Sequence, residues 1–147
     1  MFYSESADRL LTIGQQLGEK LQAGDVLILT GDLGAGKTTL TKGIAKGLEI
    51  DQMIKSPTYT IARSYEGRLA LHHLDVYRIG DDTDSIDLDE FLEDDGVVVI
   101  EWGNLLDTTI LGDYLEIKLT PAGDGRRLEV LTHGKRSQQL AKEVFHG

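Results

Sequence analysis

The sequence predicts an α/β fold, and three observations carry the prediction. Val26-Leu27-Ile28-Leu29-Thr30 has the unbroken apolar character of a strand buried on both faces. Val97-Val98-Val99-Ile100 is a second run of the same kind. After the first of these strands, the glycine-rich stretch GDLGAGKTTL, residues 31–40, leads into a segment whose apolar residues recur at helical spacing.

Ser6 is placed to cap a helix from about Ala7 to Leu21. In it Ala7, Leu10, Leu11, Leu17 and Leu21 share one face, and Gly14 and Gly18 leave room for close packing. Gly24-Asp25 makes the turn into the first apolar strand. From Lys37 the pattern is helical, with Leu40, Ile44 and Leu48 on one side and Gly47 near the end. Beyond Pro57, the segments Thr60 to Tyr65 and Leu69 to Val76 flank Glu66-Gly67 as a hairpin. Asp81 to Asp95 is acidic yet carries Ile86, Leu88, Phe91 and Leu92, which predicts a short helix or helical turn. The second apolar strand ends in Glu101-Trp102. Tyr114 to Leu119 and Leu128 to Leu131 alternate, as two half-exposed strands joined through Pro121 to Arg127 do. A closing helix from about Ser137 to Phe145 packs Leu140 and Val144. No internal repeat, long linker or low-complexity tract interrupts the chain, so residues 1–147 read as a single domain.

Composition removes several classes of function. The 147 residues include no Cys, which excludes disulfide scaffolds, thiolate zinc sites and cysteine nucleophiles; the four His are scattered. The start, MFYSESADRL, lacks a basic region followed by an apolar run, and no apolar stretch approaches the ~20 residues that span a bilayer. A soluble, cytoplasmic protein with no membrane attachment is expected. The formal net charge of -10 argues against strong direct binding to a phosphate backbone, so any nucleic acid is expected to be held by a partner.

The glycine-rich stretch matches G-x-x-x-x-G-K-[ST] through Gly31, Gly36, Lys37 and Thr38. A triphosphate is satisfied by a nest of backbone N–H groups, which needs glycines that turn sharply and let oxygens approach. On this reading Gly31, Leu33, Gly34, Ala35, Gly36, Lys37, Thr38 and Thr39 bind nucleotide. Lys37 reaches the β- and γ-phosphates, Thr38 places its hydroxyl on Mg2+, and the dipole of the following helix adds favourable potential. A chance match in a chain with 17 Gly is the alternative, and the strand before and helix after the loop weigh against it.

Hydrolysis also needs an acid at the tip of a neighbouring strand. Glu101 ends one strand and Asp75 ends another. Either alone would pass for a solvated turn residue or a helix cap; here both share a chain with the loop. Glu101 follows the more deeply buried strand and is assigned to Mg2+, through its carboxylate or a bound water, with a part in positioning the attacking water. Asp75 is then an outer partner of the metal or a catalytic acid, and the two roles are exchangeable. Lys37, Glu101 and Asp75 are the catalytic candidates. His73 shares a strand face with Asp75 by period two and reads as a packed strand histidine. Ser56-Pro57-Thr58-Tyr59-Thr60 is either a γ-phosphate sensor or an ordinary turn. Arg126 and Arg127 lie in a glycine-rich turn, where Arg126 is a candidate phosphate contact beside the reading of a solvated hairpin. Trp102 anchors the core or packs beside the nucleotide.

With GDLGAGKTT at 31–39, SPTYT at 56–60, HLDVYR at 73–78 and IEWG at 100–103, in that order, the chain resembles the TsaE family (also called YjeE), bacterial P-loop ATPases of tRNA threonylcarbamoyladenosine formation. The resemblance implies a P-loop nucleotide-binding fold: a central, mainly parallel sheet with antiparallel strands at its flanks. It implies ATP and Mg2+ as cofactors, with Thr38 and Glu101 at the metal. It also implies TsaB-like and TsaD-like partners, the latter transferring threonylcarbamoyl to adenosine 37 of tRNAs that read codons beginning with A. The tRNA would then meet this chain only through its partners. ATP hydrolysis, slow without them, would reset the complex between turnovers. The acidic-Thr pair that the family often carries before its first helix has no clear counterpart in SESADRLLT, so adenine-side contacts in residues 6–12 are left unassigned.

Other readings fit less well. A regulatory GTPase usually carries Asn-Lys-x-Asp, but the only Asn is Asn104, followed by Leu, and no Asp stands three residues before a Gly. A small-molecule phosphotransferase usually has an Arg-rich lid, for which only Arg126-Arg127 is present. A nucleotide-dependent binding module that does not depend on cleavage overlaps with the favoured reading and separates from it by the effect of partners on turnover.

Overall fold

The computed structural model describes residues 2–4, 6–31, 36–51, 62–75, 96–101, 113–122 and 125–145. Among them, strands β1 (Phe2–Ser4), β2 (Val26–Gly31), β3 (Ala62–Tyr65), β4 (Leu71–Asp75), β5 (Val97–Glu101), β6 (Tyr114–Ala122) and β7 (Gly125–His133) form one sheet. Helices α1 (Ala7–Lys20), α2 (Lys37–Gly47) and α3 (Lys135–Val144) accompany it. The helical expectation for residues 81–95, the 56–60 segment, Trp102 and Asn104 lie outside the described residues.

The strand order is β1-β7-β6-β2-β5-β4-β3. β2 runs parallel to both β5 and β6, and β5 parallel to β4. β3 closes one side antiparallel, and β7 with β1 closes the other. This is the expected parallel centre with antiparallel flanks. Along the central strands, Leu27, Leu29, Leu71, Val97, Val99, Leu115 and Ile117 join a core that includes Leu10, Ile13 and Leu17 of α1 and Leu40 and Ile44 of α2. The alternate residues Ile28, Leu74, Val98 and Ile100 are at most 2% exposed. Both faces of the centre are therefore buried, which is why its strands carry no polar alternation.

Helix α1 begins where expected, the Ser6 hydroxyl accepting the Arg9 N–H at 3.1 Å. Its buried stripe is Leu10, Ile13, Leu17 and Leu21, and Leu11 is only half-buried. Helical geometry puts positions 10, 13, 14 and 17 on one face, and Leu11 at its margin. The same stripe carries Gly14 and Gly18, which meet Gly43 and Gly47 of α2. A Cβ on Gly18 would strike the Ile44 carbonyl oxygen and lie 2.8 Å from the Gly47 Cα; one on Gly43 would strike the Leu11 carbonyl and lie 3.0 Å from the Gly14 Cα. The two backbones touch directly.

Several boundaries differ from expectation. Pro121 lies inside β6 opposite Arg126, and Ala122 pairs with Gly125, so Arg126 and Arg127 belong to strand β7 rather than to a turn. Tyr65 pairs with Leu71, which moves Leu69 out of the strand and into the β3–β4 connection. That connection is pinned by Arg68, whose guanidinium donates to the Gly18 and Leu21 carbonyls at 2.7 and 3.2 Å and whose N–H donates to the Leu48 carbonyl. β1 has no periodicity of its own and exists through pairing with β7. α3 starts at Lys135, two residues before Ser137, because the Asp113 carboxylate caps it: Oδ2 and Oδ1 accept the N–H groups of Arg136 and Ser137 at 2.8 and 2.9 Å.

The Arg136 side chain ties α3 to the amino edge of the sheet. It donates to Asp25 at 2.9 and 3.1 Å and to the Lys20 carbonyl at 2.8 Å. The bond to Asp25 is the main reason its pKa is raised above the ordinary guanidinium value, burial working against it.

Helix α2 ends at a residue with a side chain where glycine is favoured. Glu49 has φ +61°, with its N–H on the Lys46 carbonyl and the Ile50 N–H on the Ala45 carbonyl, the paired bonds of a Schellman cap. Glu49 is exposed, and a left-handed side chain costs ~1–2 kcal/mol, part of which glycine forfeits in unfolded-chain entropy. Glu49→Gly is expected to stabilise the fold by about 0.5–1 kcal/mol, a rise of roughly 1–4 °C in Tm. An unchanged or lower melting temperature would count against this cap geometry.

Candidate nucleotide-binding site

Ligands of open parallel sheets sit at the carboxyl ends of the strands, and the predicted site residues that are described gather there. Gly31 ends β2 with φ +137°, and a Cβ on it would strike the Leu119 carbonyl oxygen of β6. Only glycine fits. Leu33, Gly34 and Ala35 lie outside the described residues. The chain is described again at Gly36, φ +105°, which forms the N-cap of α2.

Lys37 opens α2 and is 5% exposed. A buried ammonium demands hydrogen-bond partners. The Gly31 carbonyl supplies one, accepting from Nζ at 2.7 Å, so the side chain reaches back across the mouth of the loop. The start of α2 differs from those of its neighbours. α1 is capped by Ser6 and α3 by the Asp113 carboxylate, whereas among the described residues no side chain caps α2, whose N-cap is Gly36; the first turns of α2 and α3 both lack an acid. The N–H groups and positive dipole end of α2 are suited to an anionic ligand. Thr38 and Thr39, half-buried, stand in that first turn.

Glu101 ends β5, level with Leu29 of β2 on one side and Asp75 of β4 on the other. It is 5% exposed, and its Oε2 lies 2.6 Å from Nε2 of fully buried His73. A carboxylate oxygen accepts, so the imidazole donates. Asp75 is the last residue of β4, and its side chain is outside the described residues. Arg126 is half-buried and Arg127 exposed, the alternation of a strand. A Cβ added to Gly36 would come within 3.9 Å of the Arg126 Cγ and Nε, and 2.7 Å from Cδ2 of Leu10. Arg126 thus runs beside Gly36, its Nη1 donating to the Gly125 carbonyl at 2.8 Å.

Gly31, Gly36, Lys37, Thr38, Glu101, Asp75 and Arg126 therefore share one edge of the sheet. Period-two reasoning placed His73 on the face of Asp75 but missed its bond to Glu101, since the strand order that joins them is not written in either strand. The donor set fits a hard cation. A threonine hydroxyl and a carboxylate suit Mg2+, which usually takes only one or two protein carboxylates and completes its shell with phosphate and water. Among the described residues no cluster of three His, Asp or Glu could hold a metal alone.

The family model for threonylcarbamoyl adenosine biosynthesis protein TsaE matches residues 4–128. The chain is 45% identical over 123 residues to the tRNA threonylcarbamoyladenosine biosynthesis protein TsaE of Bacillus subtilis, covering 82% of this chain and 78% of that protein. It is 40% identical to the protein of the same name in Treponema pallidum, over 84% of this chain and 93% of its relative. The crystal structure of Bacillus subtilis YdiB superposes with a TM-score of 0.86 at 35% identity, over 98% of this chain and 92% of that one. Matched by the family model over residues 4–128 and 40–45% identical to these two relatives over most of both chains, the chain belongs to the TsaE family.

Proposed function

We propose that this chain binds and hydrolyses Mg-ATP at the carboxyl edge of its sheet, and that this turnover serves formation of threonylcarbamoyladenosine at position 37 of tRNA. The observation that carries the proposal is the placement of Lys37, a buried ammonium that donates to the Gly31 carbonyl from the first residue of α2. The names of the relatives supply the pathway. The net charge of -10 supports a tRNA held by partner proteins rather than by this chain, and the family resemblance suggests TsaB-like and TsaD-like proteins for that part.

In this mechanism the loop from Gly31 to Gly36 and the first amides of α2 hold the β- and γ-phosphates, and Lys37 neutralises them from a geometry set before binding. Mg2+, when bound, offsets charge on the phosphate oxygens. Thr38 and Glu101 would hold the metal, and Glu101 would also orient the attacking water. Asp75, level with Glu101, is the second carboxylate of this edge, and Arg126 approaches the phosphates from β7. A single domain spanning 1–147 carries the whole site. Turnover is slow until the partner complex engages.

Calorimetry with Mg-ATP and Mg-ADP tests the site directly. Lys37→Ala is expected to weaken Mg-ATP binding by about 100-fold, or ~2.7 kcal/mol, within the range of a hydrogen bond to a charged group. It should also fail to restore modified adenosine in a reconstituted tRNA reaction. No heat from either nucleotide at millimolar concentration with folded wild-type protein would end the proposal. ATP-dependent partner binding without cleavage would reduce it to a switch.

A further inference from the structure

His73 is fully buried on the face of the sheet that also carries the α1 and α2 core, in a row with Leu71. An aliphatic side chain would pack there with no polar atom to satisfy. The imidazole instead leaves Nδ1 buried without a hydrogen-bond partner among the described residues. Buried polar atoms are nearly always paired, so this histidine is a poor choice for stability alone. Its one described polar contact is the 2.6 Å bond from Nε2 to Oε2 of Glu101.

The register shows how specific that bond is. His73 pairs in register with Val99, while Glu101 pairs with Asp75. The contact is therefore diagonal across two parallel strands, a separation that long side chains can bridge and short ones cannot. The bond between Nε2 and Oε2 spans that diagonal and restrains the carboxylate from sweeping through its rotamers. Carboxylates that serve metals are usually themselves hydrogen-bonded, and loss of such a partner typically costs ~10–100-fold in metal affinity or activity.

We propose that His73 is a positioning residue: its Nε2–H fixes the Glu101 carboxylate in the orientation from which Glu101 serves Mg2+ and the attacking water. This rests on the proposed reading of the site and goes beyond it by assigning a task to a fully buried residue outside the set proposed to bind nucleotide and metal. Of the two carboxylate oxygens, Oε2 accepts the bond from the imidazole, which leaves Oε1 and the second lone pair of Oε2 to serve a ligand. The aliphatic alternative would leave Glu101 free to turn and the metal site loosely formed.

The test compares wild type, His73→Leu and His73→Gln, the last of which can carry an N–H near the position of Nε2. His73→Leu is expected to lower kcat by about 10–100-fold with KM for ATP within about threefold. It should also raise the Mg2+ concentration needed for half-maximal enhancement of nucleotide binding, read by calorimetry without turnover, by about tenfold. His73→Gln should recover most of both losses. Should His73→Leu fold poorly, nitrogen chemical shifts of the wild-type imidazole decide the point: Nε2 carrying the proton and Nδ1 bare, with and without Mg-ADP, supports the assignment, and the opposite tautomer overturns it. A His73→Leu protein with wild-type kcat and magnesium dependence overturns it while leaving the nucleotide site intact. Wild-type protein that binds no Mg-ATP removes the reading of the site and this assignment together.

Discussion

At saturating Mg2+, Glu101→Gln is expected to bind ATP within about threefold of wild type and to hydrolyse it about 100–1,000-fold more slowly. The substitution keeps the volume of the side chain at the tip of β5 and leaves a carbonyl oxygen for the His73 Nε2–H, so the packing around a residue only 5% exposed is preserved. What is removed is the negative charge that would face the metal and polarise water. Loss of a single positioned acid–base group typically costs 10²–10⁴-fold in rate, and the lower part of that range suits a residue whose hydrogen-bonding shape survives. Binding is spared because the phosphates are gripped by the loop, Lys37 and the start of α2. Single-turnover ATP cleavage beside calorimetry separates the two quantities. Equal cleavage rates in the two proteins would remove Glu101 from the reaction.

Gly18→Ala is expected to destabilise the fold by about 2–3 kcal/mol, opposite in sign to what helix propensity alone predicts. In an exposed helix interior, alanine is favoured over glycine by ~1 kcal/mol. Here the added methyl would strike the Ile44 carbonyl oxygen and crowd the Gly47 Cα, both backbone atoms that cannot swing aside. Relief requires the helices to part, which opens gaps along Leu17, Leu40, Ile44 and Leu48, all fully buried. Overpacking of this kind costs ~1–3 kcal/mol or more. Chemical denaturation should show a lower midpoint with an unchanged slope, and the melting temperature should fall by roughly 4–12 °C. A stabilised Gly18→Ala protein would mean that the helices do not approach as closely as described.

Much of this architecture was legible in the sequence because it depends on local pattern. Val26 to Leu29 and Val97 to Ile100 are apolar at every position because both faces of the sheet centre are buried. Ser6 and the spacing of Leu10, Leu17 and Leu21 define α1, and the order of strand, glycine-rich loop and helix located Lys37. What escaped depends on pairing between segments distant in the chain. Gly14 and Gly18 signalled close approach, but nothing in α1 could identify Gly43 and Gly47 as its objects. Pro121 looked like a turn residue, yet its register with Arg126 keeps it in β6. The partnership of His73 and Glu101 required β4 and β5 to be neighbours, and period-two alternation assigns faces without assigning neighbours. Asp113 caps α3 from 22 residues before that helix begins, beyond the reach of any capping rule read along the chain.

The Arg136–Asp25 anchor lies just before β2, whereas Gly31 ends it; six residues of strand, at ~3.3 Å each, put roughly 20 Å between them. Free-energy changes at positions so far apart combine nearly additively. A protein weakened by alterations around Lys37 or Glu101 can therefore be shored up at the opposite end, and its chemistry compared with the parent at matched robustness.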